Sequence, residues 1–290
     1  MNIDSRLVRR VPTGPARKGP IGAEPARLVA GQPGEVRGQV RRSGRTAVID
    51  CRSIYYKTLN QQIREEIERG AKEIILEGVV GQRYIGTGLA SPGVTVRVRG
   101  VPGNDLAAFM NGPTIIVEDD VQDGVANTMN GGLVIVRGQA GDVLGYGMRG
   151  GSVFVAGDVG YRVGIHMKAF GDSVPLIVVG GRARDFLGEY MAGGELVVLG
   201  LRHPDQPCVG SYVGTGMHGG VMYLRAPVDP LQLGREVQAE NLDEGDRARL
   251  RTILTEYCVS MGLELDLVFA LPFVKIRPYT HRPYGRMYAY

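Results

Sequence analysis

Two glycine motifs are the first residues in this chain whose spacing suggests chemistry. Gly145 to Gly150 and Gly214 to Gly219 both fit the pattern G-x-G-x-x-G, which holds a dinucleotide pyrophosphate when it joins a strand to a helix. Here each motif leads into a run of alternating apolar residues, which is typical of another strand. We therefore expect no dinucleotide site at either motif.

The other polar residues do not form a recognisable catalytic or metal-binding pattern. Asp119 and Asp120 are adjacent, but no second carboxylate pair follows at the spacing of a glycosidase. Cys51, Cys208 and Cys258 are far apart and form no CxxC pair. The histidines are equally scattered, at His166, His203, His218 and His281. With no nucleophile beside a base, we expect no catalytic, cofactor-binding or metal-binding residue in this chain, and a self-contained enzyme is disfavoured.

A repeat of about 19 residues organises the chain. Six of the ten methionines share one position of it, and Leu89 holds the same position one period earlier. These methionines are Met110, Met129, Met148, Met167, Met191 and Met217. The longer intervals after Met167 and Met191 predict inserted loops near residues 169–173 and 202–208. A fixed period of this length indicates a solenoid.

After each methionine, the sequence alternates with the period of a strand. Two inward columns are expected five and seven residues after the methionine position, for example Val153 and Val155 after Met148. A third apolar column lies four residues before it, as at Leu144. The pattern predicts an all-β fold: a single-stranded, right-handed parallel β-helix of about seven rungs.

Small residues are expected at the corners of such a helix, because a turn of about 19 residues needs positive φ and close backbone approach. The predicted corners are Gly86, Gly88, Gly145, Gly147, Gly164, Gly188, Gly214 and Gly216. The methionines fill the irregular space beside these corners. This interpretation also accounts for both G-x-G-x-x-G matches.

The residues between the two inward columns should point outward, and several are apolar. We name Ile116, Ile135, Phe154, Ile177 and Val197 the outward strip. A strip of this length needs a cover, because free surfaces rarely carry contiguous apolar patches. Two covers stay open at this point: a segment of the same chain, or a partner subunit.

The flanking regions divide the chain into four parts. Residues 1–45 form a basic arm rich in Pro, Gly and Arg, expected to be disordered alone or to dock on the rod or a partner. Residues 46–80 predict a strand–helix–strand cap, with a capping box at Thr58–Gln61. Residues 81–226 form the β-helix. Residues 227–290 predict a helix from about Glu244 to Met261 and an extended aromatic tail.

Composition favours a cytoplasmic protein. No apolar run approaches the length of a membrane span, and the N-terminus lacks an apolar signal core. The arm contains no aromatic residue for base stacking, which argues against a nucleic-acid partner.

The repeat resembles the GXGXG β-helix domain at the C-terminal end of the glutamate synthase large subunit. Ile49 to Ser53, Leu59 to Ile63 and Gly81 to Gly86 are similar to the version in which this domain is a separate polypeptide, and so is the tail from Phe273 to Tyr290. The likeness extends over most of the chain from about Ala47. One subunit of formylmethanofuran dehydrogenase shares the same kind of repeat.

The resemblance implies a scaffold subunit and no catalysis by this chain. In glutamate synthase the glutaminase nucleophile is an N-terminal cysteine, and this chain has none near Met1. FMN and iron–sulfur clusters are expected on partner subunits, alongside a glutaminase subunit, and a homo-oligomer stays open. The function predicted is a scaffold that holds the glutaminase and synthase parts in register for L-glutamate formation. The alternative is the corresponding repeat-bearing subunit of a formylmethanofuran dehydrogenase-type complex.

Overall fold

The computed structural model describes residues 36–279. It contains one sheet of twelve strands in the order β1-β2-β3-β4-β5-β6-β7-β8-β9-β10-β12-β11. The strands are β1 (Val40–Ser43), β2 (Thr46–Asp50), β3 (Glu73–Val80), β4 (Thr95–Val101), β5 (Asn111–Val117), β6 (Gly131–Val136), β7 (Ser152–Val155), β8 (Leu176–Val179), β9 (Ala192–Val198), β10 (Gly219–Arg225), β11 (Val237–Glu240) and β12 (Phe273–Pro278). The helices are α1 (Tyr56–Glu68), α2 (Glu244–Met261) and α3 (Leu265–Phe269).

The sheet confirms the predicted parallel solenoid. Every neighbouring pair from β2 to β10 is parallel. The seven repeat strands β4 to β10 are separated by six turns of the solenoid. A second, shorter line of parallel bridges runs through Val121, Ala140, Val159, Ala183 and Val209. This second line adds a buried column that the sequence pattern did not reveal.

The methionine position faces the centre of the solenoid. All six methionines of the repeat are fully buried, and Leu89 is nearly so. The column that contains Leu144 and the inward strand residues such as Val153 and Val155 pack in the same core. Burial of this many apolar side chains is the main term that stabilises the solenoid.

The prediction for Ile177 is wrong, because the register at β8 differs by one residue from the one expected. Val153 pairs with Ile177, and Val155 pairs with Val179. Ile177 and Val179 therefore lie in the central core, while Leu176 and Val178 face outward. All four residues of β8 are apolar and buried, so this segment carries no alternation to set its register. A slip of one residue exchanges the two faces of a strand.

The remaining residues of the outward strip do face outward, and the chain itself covers them. Ile135, Phe154 and Val197 are buried in a second core beneath α2, and Ile116 packs at its edge. The ring of Phe154 meets that of Tyr257 on α2 edge to face, with centroids 5.8 Å apart. The strip is thus an internal surface, unavailable to a partner subunit. We call this strand surface and its helix the covered face.

Helix α2 has the limits that the sequence indicated. Asp243 caps its N-terminus through a capping box with Asp246, and Gly262 ends it in the left-handed conformation. Two polar contacts fix its orientation on the sheet. Tyr223 Oη donates to Asp246 at 3.0 Å, and Arg249 Nε donates to Glu195 at 2.8 Å.

The N-terminal cap begins earlier than predicted. β1 pairs antiparallel with β2, so the boundary expected at residue 45 falls inside a hairpin. The described end of the predicted arm is folded because carboxylates on α1 neutralise its arginines: Arg42 Nε donates to Glu66 at 2.7 Å, and Arg37 pairs with Glu65. The rest of the arm lies outside the described residues.

The predicted capping box at Thr58–Gln61 is wrong. Helix α1 starts at Tyr56 and its N-cap residue, Tyr55, makes no side-chain cap bond. Thr58 therefore lies inside the first turn, where burial of Leu59 and Ile63 against the first rungs sets the helix position.

The C-terminal segment closes the last turn of the solenoid. β12 pairs antiparallel with β10 and with β11. The predicted extended tail is therefore a strand as far as Pro278, and residues 280–290 lie outside the described range. Arg225 donates to the carbonyls of Pro204 and Gln206 at 2.8 Å each, which fixes the predicted loop at residues 202–208.

Candidate functional site

The cysteines are unsuited to nucleophilic catalysis. Cys51, Cys208 and Cys258 are all buried free thiols. Burial raises the pKa of Cys51 and Cys258 to about 12 and that of Cys208 to about 11. A thiol with so high a pKa carries almost no reactive thiolate at neutral pH.

Aspartates along one edge bind the backbone of the next turn. Asp120 Oδ1 accepts the N–H of Gln139 at 2.7 Å, and Asp142 Oδ1 accepts that of Tyr161 at 2.8 Å. The same contact recurs at Asp123, Asp158 and Asp185. These carboxylates join successive turns. Asp120 is one of them, and its neighbour Asp119 accepts the Asp120 N–H at 3.0 Å.

Glycines make these contacts possible, and the sequence pattern alone did not reveal the pairing to us. A Cβ on Gly160 would lie 2.0 Å from Asp142 Oδ1, and one on Gly181 would lie 2.2 Å from Asp158 Oδ1. The signal was present as an aspartate followed about one period later by a glycine.

The same edge borders a groove of about 450 Å³ that includes Arg182 and Arg184. Within residues 36–279, no group of three or more His, Cys, Asp or Glu side chains could hold a metal ion.

The G-x-G corners have an unusual backbone. All eight predicted corner glycines have φ between 56° and 78°. The left-handed conformation recurs at the fifth, third and first residues before the methionine position, as at Val143, Gly145 and Gly147 before Met148. Each corner then leads into a strand, so neither G-x-G-x-x-G match precedes the N-terminus of a helix.

Large side chains occupy many of these left-handed positions. Among residues 36–279, thirteen residues other than glycine have positive φ. Twelve of them lie at these corners, and Ser53 is the exception. The left-handed conformation is strained for bulky residues and costs roughly 1–3 kcal/mol each. Backbone strain of this kind concentrates at functional sites.

Five large left-handed side chains and the neighbouring Tyr146 form one group at the surface, which we call the aromatic corner. It consists of Tyr146, Arg162, His166, Phe186, Tyr190 and Tyr212. The exposed fractions of Tyr146, Tyr190 and Tyr212 are 42%, 46% and 56%. The aromatic corner spans four successive turns of the solenoid.

The rings of the aromatic corner contact one another from turn to turn. His166 stacks on Tyr190 with centroids 5.3 Å apart and an interplanar angle of 11°. Tyr146 meets His166 edge to face at 5.9 Å. Phe186 stacks on Tyr212 at 4.8 Å. Contacts of this geometry are favourable and hold the rings in fixed orientations.

An ion pair connects the two ring stacks. Arg162 lies over the ring of Phe186, with Cζ 4.8 Å from the centroid. Its Nε donates to Glu189 Oε2 at 2.9 Å, and the backbone carbonyl of Glu189 accepts the N–H of His166. The corner glycine Gly216 leaves room for Tyr190, because a Cβ there would lie 2.4 Å from the Tyr190 ring.

The aromatic corner was not predicted from the sequence. The signal is visible only after the repeats are aligned, when Tyr and Phe alternate with Gly in the same columns. Of the other histidines, His203 lies 3.4 Å from Asp158, and His218 Nδ1 lies 3.1 Å from the Gly216 carbonyl oxygen. Neither of these contacts involves a nucleophile.

Comparison with known proteins gives related sequences and a related fold. The family model described as the GXGXG motif matches residues 45–268. The "Uncharacterized protein MJ1350" of Methanocaldococcus jannaschii is 42% identical over 249 residues, which cover 83% of this chain and 95% of that protein.

A solved structure has a similar fold. It is a chain of the formyltransferase/hydrolase complex (FhcABCD) from Methylorubrum extorquens, solved with methylofuran. The TM-score is 0.55 at 18% identity, and the match covers 82% of this chain and 89% of that one.

None of the helices within residues 36–279 has the length and apolar character needed to cross a membrane. The family model and the relative together show that this chain belongs to the GXGXG motif family.

Proposed function

We propose that this chain is a non-catalytic scaffold subunit of a multi-subunit enzyme complex. The observation that carries the proposal is the solenoid itself. It has one continuous core, and the aspartates along its edge bind the backbone of neighbouring turns. Its similarity to a chain of the formyltransferase/hydrolase complex supports a role among partner subunits.

The solenoid suits a spacer of fixed length. Six turns at about 4.8 Å each make a rod of roughly 29 Å, with parallel hydrogen bonds along its whole length. When an intermediate passes between two active sites, their separation and orientation set how much of it is lost. A rod with a continuous core holds both constant, and its caps prevent the ends from pairing with other chains.

A formylmethanofuran-related complex has the more direct support. The solved neighbour belongs to a complex crystallised with methylofuran, and the likeness covers most of both chains. In this version of the proposal, the partners carry the formyltransferase and hydrolase activities.

A glutamate synthase-like complex is the second candidate, and a specific feature favours it. The strand–helix–strand cap of β2, α1 and β3 is present, and it includes two of the segments that resemble the stand-alone GXGXG subunit, Ile49 to Ser53 and Leu59 to Ile63. In this version, a glutaminase chain and an FMN/iron–sulfur chain are the partners, and they hold the cofactors. Either complex is proposed to be cytoplasmic.

Purification from the native host tests the proposal. An affinity tag on the chain, followed by size exclusion and mass spectrometry, should recover stoichiometric amounts of one partner set. Formyltransferase and hydrolase chains would select the first complex, and glutaminase and FMN/iron–sulfur chains the second. A monodisperse chain with no stoichiometric partner, or with glutaminase or formyltransferase activity of its own, would contradict the scaffold role.

A further inference from the structure

We infer that the aromatic corner is the surface through which this scaffold binds a partner subunit, and that the partner presents an acidic polypeptide segment. The inference rests on the proposed function and assigns the contact to particular residues. The covered face cannot serve this purpose, because α2 occupies it.

The fold does not require these side chains. His166 and Tyr190 occupy the position directly before the methionine column, where Gly88, Gly147 and Gly216 stand in other turns. All five residues have positive φ, between 52° and 70°. Glycine adopts this conformation without strain, so His166 and Tyr190 carry a strain that three other turns avoid. Two further turns also have a residue other than glycine here.

In the second column of the corner, one turn of seven has glycine and six have larger residues with positive φ. Tyr212 and Phe186 have φ of 62° and 63°, and Gly124 holds the equivalent position with φ 72°. Strain in this column is therefore common to the repeat, and the stacking of Phe186 on Tyr212 is what distinguishes these two turns.

The chemistry of the corner matches the centre of a protein interface. Tyr and Arg are enriched among residues that dominate binding energy, because both offer large contact areas and hydrogen-bonding groups. Mutual stacking already orders these rings, so association costs less side-chain entropy. The four rings at Tyr146, His166, Tyr190 and Tyr212 are all exposed.

Charged residues around the aromatic corner, which we call its rim, indicate the sign of the partner's charge. Arg149 and Lys168 are exposed and follow Tyr146 and His166 by three and two residues, and neither forms an ion pair with a residue in the described part of the chain. Arg184 is also exposed and lies over the ring of Tyr161. The carboxylate of Glu189 is already paired with Arg162. A partner with Asp or Glu side chains beside apolar residues would complement this rim.

A protein fits this surface better than a nucleic acid does. The rings touch each other at 4.8–5.9 Å between centroids, which leaves no space for a base between them.

The test compares association of purified chains. The probes are the formyltransferase and hydrolase chains, and separately the glutaminase and FMN/iron–sulfur chains, encoded in the same genome. The variant His166→Gly/Tyr190→Gly/Tyr212→Gly places glycine where other turns already have it. We expect its thermal midpoint to stay within about 4 °C of the wild type and its affinity for the partner to fall at least ~100-fold.

The control variant alters exposed apolar residues elsewhere. Val80→Ser/Leu231→Ser/Val259→Ser changes side chains that are 81%, 90% and 79% exposed and should leave affinity within about threefold. A second variant, Arg149→Glu/Lys168→Glu, should slow association and reduce its dependence on salt. It gives an independent result if the glycine variant folds poorly.

The outcomes separate this inference from the function it rests on. If the wild type binds neither probe set, both are overturned. If wild type and both corner variants bind equally well, the interface assignment is overturned and the scaffold role stands. Tight binding of a single-stranded RNA 20-mer that the glycine variant loses would overturn the protein partner in favour of a nucleic acid.

Discussion

Two outer surfaces of the same solenoid carry large side chains, which are buried on one surface and exposed on the other. On the covered face, Phe154 and Tyr223 emerge from unstrained strands and are buried under α2. At the aromatic corner, Tyr190 and Tyr212 emerge from a left-handed backbone and stay exposed. The apolar area of the first surface stabilises the fold, and that of the second surface is available to the proposed partner subunit. An outward apolar column is therefore insufficient to identify an interface until the cover is known.

Truncating the covered face should have the largest effect. We expect Phe154→Ala to lower the free energy of unfolding by about 3–5 kcal/mol, because it removes a buried ring and its contact with Tyr257. Chemical denaturation measures this loss. Phe170→Ala, at an 81% exposed position, is the control and should change stability by less than about 0.5 kcal/mol. Equal effects of the two variants would contradict the contrast between buried and exposed surfaces.

Filling a corner glycine should have the next largest effect, and a second change should partly reverse it. A Cβ on Gly145 would lie 2.4 Å from Ile177 Cδ1, and φ there is 72°. Gly145→Ala should therefore lower the free energy of unfolding by about 2–4 kcal/mol through overpacking and backbone strain, as chemical denaturation would show.

The turn before it suggests the compensating change. Ala126 holds the same corner position as Gly145, and Val153, which pairs with Ile177, holds the matching strand position one turn earlier. In that turn, the larger corner residue alanine is accommodated by a strand residue, valine, that is smaller than isoleucine. Adding Ile177→Val to Gly145→Ala should restore at least about 1 kcal/mol in a double-mutant cycle. Strict additivity would contradict both the contact and the corrected register at β8.

Removing the charge of Asp246, whose contacts hold α2 on the sheet, should give a smaller, pH-dependent loss in the free energy of unfolding. Burial would raise the pKa of Asp246, but hydrogen bonds from Lys275, the Asp243 N–H and Tyr223 outweigh it and lower the pKa. A depressed pKa means that the carboxylate contributes stability above the unfolded-state pKa of about 3.9 and loses it as pH falls through the folded-state value.

We therefore expect Asp246→Asn to cost about 1–3 kcal/mol at pH 7, with the difference from wild type disappearing as pH falls below about 4. Denaturation at a series of pH values measures this. Asp266→Asn, at an exposed pair with Arg251, should change stability by less than about 1 kcal/mol. A difference that stays constant down to a pH of about 2 would show that Asp246 acts through packing alone.

Relieving corner strain should have the smallest effect and the opposite sign. Val143 is β-branched and has φ 50°, which is strained for such a residue. Val143→Gly should leave stability unchanged or raise it by up to about 1 kcal/mol in chemical denaturation. Val155→Gly in the central core is the matched change and should destabilise by several kcal/mol. A large loss at Val143 would mean that the corner residues serve the fold after all.

Much of the architecture was predictable, because the methionine period and strand alternation repeat over seven strands. Helix α2 was predicted from its apolar stripe and from Gly262. The register at β8 was not, since four apolar residues in a row carry no alternation. The capping box at Thr58 failed because tertiary packing outweighed a local motif worth about 1 kcal/mol.

By itself, the sequence determined the solenoid, its corners and the helix that follows it, because each is encoded by a local period or by a residue with a restricted backbone. Only the tertiary structure decided which outer surface is covered, which way each side chain of β8 faces, and which rings meet across turns. Those outcomes depend on contacts between residues far apart in the chain, such as Tyr257 Oη donating to the Val155 carbonyl. Local patterns carry no information about such distant contacts.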